Sequence, residues 1–200
     1  HVSKTMKLFA IAAVALATLT ATPVLAQAAG PQNPGPVIPG LCIYNNARLV
    51  AQSTVGQSVQ QGMRRLTDEV INELQPYGQS IGAEIQALQQ GRGAIPEQEF
   101  AQRSQAVQQR IAEAEQLEQT RSQELEYTLS QQRTAIARAV DPILVAVYQE
   151  RGCGILISGE AVYEANPQMD ITDMVIQRLN TQLPSLSFNR MPVPVQQPAQ

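Results

Sequence analysis

The sequence contains no tryptophan, and aromatic residues account for only 4% of its 200 positions. Aromatic side chains dominate the buried area of most cores, so their scarcity favours a protein that buries its apolar surface along a narrow seam. One histidine is present, His1, and it lies ahead of a stretch typical of a cleaved signal. A mature chain would therefore have no histidine base and no histidine metal ligand, which disfavours most hydrolases and metalloenzymes.

Motifs for other common chemistries are also missing. Cys42 and Cys153 do not form a CxxC pair, so a thiol-exchange enzyme is disfavoured. The Gly-Arg-Gly at 91–93 follows a predicted helix and lacks the Gly-Lys-Ser/Thr of a phosphate-binding loop, so it indicates a turn. Paired carboxylates such as Glu113 and Glu115 lie on a predicted amphipathic helix, where they indicate a solvated face. We therefore predict no enzyme activity, no catalytic residue, no metal site and no cofactor.

The first 26 residues have the pattern of a secretory signal peptide. Two lysines precede an apolar run over 8–17, and Val24 and Ala26 stand at the positions that a signal peptidase reads. A membrane anchor would need about 20 uninterrupted apolar residues, and Pro23 with the threonines before it interrupts this run. We predict that residues 1–26 are cleaved and that the protein is exported.

The net charge that remains after cleavage is negative. Removing residues 1–26 takes away both lysines and leaves 12 arginines against 17 acidic residues. Proteins that bind nucleic acid or anionic membranes carry basic surfaces. We therefore predict that no nucleic acid is a partner of this protein.

Apolar residues recur every three or four positions through two long stretches, as expected of helices with one buried face. The first stripe comprises Val59, Met63, Leu66, Val70, Leu74, Tyr77, Ile81, Ile85 and Leu88. The second comprises Phe100, Val107, Ile111, Ala114, Leu125, Ile136, Val140, Ile143 and Val147. Pairing residues whose numbers sum to 188 sets the two stripes side by side, with Leu88 beside Phe100. We predict a long antiparallel helical hairpin, with an arm over 57–127 and its tip at 90–96.

Three residues in the first helix are predicted to make this arm flexible. Pro76 removes a backbone hydrogen bond and clashes with the preceding turn, and Gly78 and Gly82 weaken the helix beside it. In the second helix, Glu118 and Arg121 fall at core positions of the stripe. We therefore predict an arm that kinks at Pro76 and bends.

Short β-branched runs flank the hairpin. The runs at 41–44 and 155–158 are bounded by turn residues and are typical of buried strands. Because an antiparallel hairpin returns the chain to where it left, these strands should be neighbours in one small sheet, and a further edge strand is predicted over 161–163. Asp170 and Asp173 precede an apolar face and predict a helix with a carboxylate cap.

The predicted fold is α+β and mostly α. A small β-sheet association body, over 41–56 and 128–183, carries the long antiparallel α-helical hairpin and ends in a C-terminal helix. A Pro/Gly-rich linker over 27–40 precedes the body, and a Pro/Gln-rich tail over 184–200 follows it. Both compositions are typical of disordered segments without packed structure.

The two cysteines are candidates for a disulfide. An exported protein meets an oxidising compartment, where structural disulfides form, and the predicted sheet would place Cys42 and Cys153 on neighbouring strands. Closing so long a loop would stabilise the fold by roughly 4 to 5 kcal/mol in the chain-entropy view. The alternative is two separate buried thiols.

Three segments, at 40–46, 155–163 and 169–175, resemble the Skp/OmpH family of periplasmic chaperones. They read GLCIYNN, ILISGEAVY and MDITDMV, and the order of signal peptide, strand, hairpin, strand and Asp-Ile-Thr helix is similar too. The resemblance implies a periplasmic homotrimer whose strands form a central body and whose hairpins enclose a cavity for unfolded outer-membrane proteins. Residues 57–150 carry 8 arginines against 13 acidic residues, which disfavours contact with lipopolysaccharide or a membrane surface.

Two functions are open at this point. The resemblance implies an ATP-independent holdase chaperone that keeps unfolded outer-membrane proteins soluble for membrane assembly. The alternative is a structural coiled-coil spacer or adaptor of the cell envelope. A spacer would favour a continuous apolar stripe along the second helix, which Glu118 and Arg121 interrupt.

Overall fold

The computed structural model describes residues 35–194. The predicted signal peptide and residues 27–34 of the linker lie outside this range. Six main elements follow one another along the chain: β1 (Leu41–Tyr44), α1 (Asn46–Gln52), α2 (Thr54–Gln90), α3 (Glu97–Glu150), β2 (Ile155–Ser158) and α4 (Thr172–Gln182). This architecture confirms the predicted α+β, mostly α fold.

The hairpin of α2 and α3 is the longest feature. At 1.5 Å per residue, α2 extends about 55 Å. The turn between the helices, 91–96, includes Gly93 at φ 90°, a backbone conformation that favours glycine. Ion pairs fix the antiparallel register, since Arg103 Nε lies 2.7 Å from Glu84 and Arg121 lies 2.7 Å from Glu73.

A close approach of two helices explains the short step between α1 and α2. Ser53 lies between them in an extended conformation, and its side chain accepts a hydrogen bond from the Gly56 amide. A β-carbon at Gly56 would overlap the Val50 carbonyl group. Because Gly56 has no side chain, the chain can turn directly from α1 into α2. Ser53, at the turn, is fully buried.

The two strands pair in parallel, with Leu41 opposite Ile155 and Tyr44 opposite Ser158. The predicted strand at 161–163 is wrong: a 3-10 turn, Gly159–Ala161, leads the chain away from β2. The other edge of β1 is taken instead by a later segment, since the Ile171 amide donates to the Ile43 carbonyl over 2.9 Å.

The C-terminal helix α4 is present, but its start differs from the prediction. Ile171 is the N-cap residue and makes no side-chain cap hydrogen bond. Asp170 lies one residue earlier and accepts from the Thr172 amide over 2.8 Å. Its other carboxylate oxygen is held by Arg48 at 2.9 Å, so the same side chain meets the helix start and joins it to α1.

The core lies where the root of the hairpin meets α1, α4 and the sheet. Its side chains are apolar and buried: Leu49, Val55, Val59, Leu66, Ile136, Val140, Ile143, Val147, Ile171, Val175, Ile176 and Leu179. All of them come from the ends of the hairpin nearest the body or from the body itself. The body is thus folded around the hairpin root.

The prediction of an unpacked tail from 184 onward is wrong for its first half. Residues 184–191, here called the strap, run along the hairpin, and Phe188 is buried in the core cluster. The Leu186 amide donates to Ser58 Oγ over 3.0 Å, and the Met191 amide donates to Thr128 Oγ1 over 2.8 Å. Proline-rich composition predicted disorder, whereas these tertiary contacts order the segment. Residues 195–200 lie outside the described range.

Candidate functional site

The distal arm, defined as residues 74–120, leaves part of its apolar stripe exposed. At the root, Leu66 is 1% exposed, whereas Tyr77 and Ile85 of the same stripe are each 37% exposed. Ile71, just below the distal arm and off the stripe, is 57% exposed. Two helices alone cannot enclose a seam on all sides, so apolar surface remains available along the arm.

Grooves along the hairpin leave further apolar surface open. Near the tip, a groove of about 340 Å³ is lined by Ile85, Leu88, Phe100 and Val107. Near the root, a groove of about 490 Å³ is lined by residues that include Val59, Met63, Leu129 and Ile136. The second groove lies on the side of the hairpin opposite the strap, which contacts Ser58 and Gly62. Both are open troughs able to take irregular apolar side chains.

Pro76, Gly78 and Gly82 lie within α2, which continues through them as one helix. All three are exposed. A β-carbon at either glycine would meet nothing within 4 Å among the described residues. Neither glycine is therefore required by close packing, and their role in arm flexibility stays a prediction.

The polar interruption of the second helix differs from the prediction. Glu118 is exposed, and Leu117 is half-buried in its place. The predicted core position was therefore wrong by one residue. Arg121 does face the partner helix, where it forms an ion pair with Glu73 at 2.7 Å, and it also pairs with Glu124 of its own helix at 3.0 Å.

A four-residue charge cluster closes the root of the arm. Besides Arg121, the strap residue Arg190 reaches both Glu73 at 3.2 Å and Glu124 at 2.9 Å. The hydrogen bond from Arg121 holds the pKa of Glu73 below its usual 4.5. Hydrogen bonding to Glu73 likewise raises the pKa of Arg121. The cluster joins α2, α3 and the strap.

Farther out, a second ion pair crosses the distal arm. The hydrogen bond from Arg103 lowers the pKa of Glu84, again from 4.5. Arg110 also donates to Ser80 Oγ over 2.6 Å. Polar contacts therefore supply part of the helix pairing in the distal arm.

Cys42 and Cys153 are brought together at the body, with their Cα atoms 5.7 Å apart and their sulfur atoms bonded. Cys42 lies in β1, while Cys153 lies two residues ahead of β2 and not within it. The Cα separation is normal for a disulfide. Oxidation in the protein itself remains a prediction, tested below.

Sequence reasoning missed the strap residues Phe188 and Arg190. The signal that could have found them is the recurrence of apolar residues at Leu183, Leu186, Phe188 and Met191, between the prolines. Disordered segments contain few large apolar side chains, whereas this segment places one at every second or third position.

The body also presents apolar side chains to solvent in this single chain. Val145 on α3 is 56% exposed, and Ile155 on β2 is 60% exposed. Tyr163, in the loop after β2, is fully exposed. These exposed side chains belong to α3, β2 and the loop that follows β2.

Residues 35–194 lack two features that would point to other functions. That range holds no group of three or more His, Cys, Asp or Glu side chains arranged to hold a metal ion. Among the same residues, no helix combines the length and apolar character needed to cross a membrane.

Comparisons with known proteins agree with this geometry. No curated protein matches the chain. A crystal structure of a candidate outer membrane chaperone (OmpH-like) from Caulobacter crescentus CB15 is similar, at 28% identity and a TM-score of 0.74, covering 82% of this chain and 98% of that one. The family described as outer membrane protein (OmpH-like) matches residues 40–179, which span the strands, the hairpin and most of α4. The chain belongs to the OmpH-like family.

Proposed function

We propose that the protein is an ATP-independent holdase chaperone that binds unfolded outer-membrane proteins in the periplasm and keeps them soluble. The observation that carries the proposal is the long hairpin whose apolar stripe is half-open in the distal arm, at Tyr77 and Ile85. Membership of the OmpH-like family and similarity to a candidate outer membrane chaperone support it.

The surface chemistry suits a client without fixed structure. Many weak apolar contacts spread along adaptable grooves accept varied sequences better than one shaped pocket does. The sequence also lacks a phosphate-binding motif, in keeping with holding a client without nucleotide hydrolysis. The chemistry assigned to the protein is therefore reversible binding, with no bond made or broken.

An aggregation assay tests the proposal. A urea-unfolded outer-membrane β-barrel is diluted into buffer with and without the protein, and light scattering is followed. The full chain should suppress scattering, and changing Tyr77→Ser together with Ile85→Ser should weaken that protection. Val37 is an exposed apolar residue outside the hairpin. The control variant Val37→Ser should therefore suppress client aggregation as well as the parent does. Unchanged scattering with the parent protein would refute the holdase.

We further propose that three copies assemble through the body to enclose a client cavity. The exposed Val145 and Ile155 support this, as does the outer edge of β2, which pairs with no other strand among the described residues. Deleting residues 75–119 and closing the gap with a short turn keeps the strap and its partners. Light scattering should still report a trimer, whereas a monomer would place the assembly surface in the distal arm.

A further inference from the structure

The strap binds the hairpin mainly through its own backbone. Ser58 Oγ accepts from the Leu186 amide, Arg65 donates to the Phe188 carbonyl over 2.7 Å, and Thr128 Oγ1 accepts from the Met191 amide. Every extended polypeptide offers such amides and carbonyls. The surface below the strap therefore recognises an extended chain with little regard to its sequence.

One side chain of the strap is recognised by shape. Phe188 is 9% exposed, and its ring lies against Gly62 of α2. A β-carbon at Gly62 would stand 2.5 Å from the nearest ring carbon. Glycine at this helical position therefore creates a notch that accepts one flat aromatic ring.

The end of the strap is held by charge. Arg190 pairs with Glu73 and Glu124, whose carboxylates also hold Arg121. Without Arg190, two carboxylates would face one guanidinium. The surface therefore has an acidic end, next to the aromatic notch.

We propose that this surface, lined by Ser58, Gly62, Arg65, Glu73, Glu124 and Thr128, is a binding site for an extended polypeptide segment that carries an aromatic residue. The strap occupies it as an internal competitor, and client segments of the same chemistry exchange with the strap. The inference rests on the proposed holdase function and names one place where a client chain docks.

Tethering explains how the strap competes. It continues directly from the end of α4 at Gln182, so its effective concentration at the site is about millimolar. A single short client segment at low concentration is then excluded. A long unfolded chain offers many aromatic segments and is also held along the arm. Its own effective concentration at the site is therefore comparable to that of the strap.

The test uses the full chain and a fluorescent peptide with the sequence of residues 185–192. The strap is loosened in two independent ways: Phe188→Ala vacates the notch, and Arg190→Glu repels Glu73 and Glu124. Fluorescence anisotropy should show the peptide binding each variant at least about tenfold more tightly than the parent, whose own strap competes. A second peptide with alanine in place of phenylalanine should bind about tenfold more weakly.

A pair of glycine substitutions in the same helix provides the matched control. Added to Phe188→Ala, Gly62→Ala fills the notch and should abolish peptide binding. Gly82→Ala, where a β-carbon meets no described atom within 4 Å, should leave binding within about twofold. Circular dichroism of every variant verifies that the helices are retained, and Arg190→Glu carries the test if Phe188→Ala unfolds.

The outcomes separate the two proposals. If neither loosened variant binds the peptide more tightly than the parent, or if Gly62→Ala and Gly82→Ala behave alike, the site is overturned and the strap is only structural. The holdase proposal survives that result if the parent still suppresses client aggregation. Peptide binding without suppression of aggregation would instead refute the holdase and keep the site.

Discussion

The two ends of one hairpin differ in how they bury the same kind of stripe. At the root, Leu66 and Val59 belong to one buried cluster with residues of β1, α1, α4 and the strap. In the distal arm, Tyr77 and Ile85 are each 37% exposed, although Leu88 nearer the tip is buried. The repeat of apolar residues is continuous through both. The difference shows that a sequence stripe marks which face is apolar, while its surroundings decide whether that face stabilises the fold or stays available.

The largest loss of stability should come from removing the disulfide between Cys42 and Cys153. Replacing Cys42 and Cys153 with serine should lower the free energy of unfolding by roughly 4 kcal/mol, because their separation of 111 residues closes a long loop. Urea denaturation measures the loss. Free-thiol titration of the oxidised, unfolded parent should find no thiol, and two titratable thiols would refute the disulfide.

Truncating one residue at each end sharpens the comparison directly. Leu66→Ala removes a fully buried side chain and should cost roughly 2 to 5 kcal/mol. Ile85→Ala removes a partly exposed one and should cost well under that, since much of its surface is already in water. Urea midpoints of the two variants test this. Equal losses would mean that the distal arm is as tightly enclosed as the root.

Stiffening the distal arm should separate stability from function. Pro76→Ala with Gly78→Ala and Gly82→Ala should strengthen α2 by roughly 1 kcal/mol per glycine and more for the proline. Both glycines have open space for a methyl group among the described residues. We expect a higher melting temperature and weaker protection of a large β-barrel client.

The matched control for stiffening is a small client. If the stiffened protein protects large and small clients as well as the parent does, arm flexibility is not part of the mechanism. An equal loss of protection for the large and the small client would point to altered contacts with the client rather than to reduced bending of the arm.

The smallest predicted effect is on how the stability of the fold depends on acidic pH. The pKa values of Glu73 and Glu84 are held below 4.5 by Arg121 and Arg103. A depressed folded pKa means that the unfolded chain binds protons first, so this stabilisation is present above 4.5 and is lost as the pH falls through the folded values. Glu73→Gln should therefore flatten the fall of the urea midpoint between neutral pH and about pH 3. An unchanged slope would indicate that the pair is screened by solvent.

Local patterns predicted the parts of the fold that depend on local sequence. The strands at 41–44 and 155–158 were predicted with the bounds that the structure shows, because glycine and asparagine delimit their β-branched runs. The hairpin followed from the matching stripes. Residues 161–163 failed because the chain leaves β2 through the 3-10 turn Gly159–Ala161, and because the later segment at Asp170 and Ile171 is the one that pairs with β1.

The apolar spacing of 183–191 could have indicated that the strap is ordered, but the place where it docks depends on a contact far away in sequence. Phe188 is ordered by the absence of a side chain at Gly62, and such a notch leaves no periodic signal. The same holds for Asp170, whose ion pair with Arg48 joins residues 122 positions apart. The sequence indicated the Leu66 end and the Ile85 end alike as apolar, and only the neighbouring elements separate the enclosed root from the open arm.

The parallel pairing of β1 and β2 has a consequence for the order of folding. Leu41 and Ile155 are partners. β1 therefore cannot pair until the whole hairpin, which lies between the two strands in the sequence, has been synthesised. Closing so long a loop in an unstructured chain is slow and entropically costly. Helices form locally and much faster, and once α2 and α3 pair, they carry the two strands to within reach of each other. We expect the arm to assemble first and to guide the folding of the body.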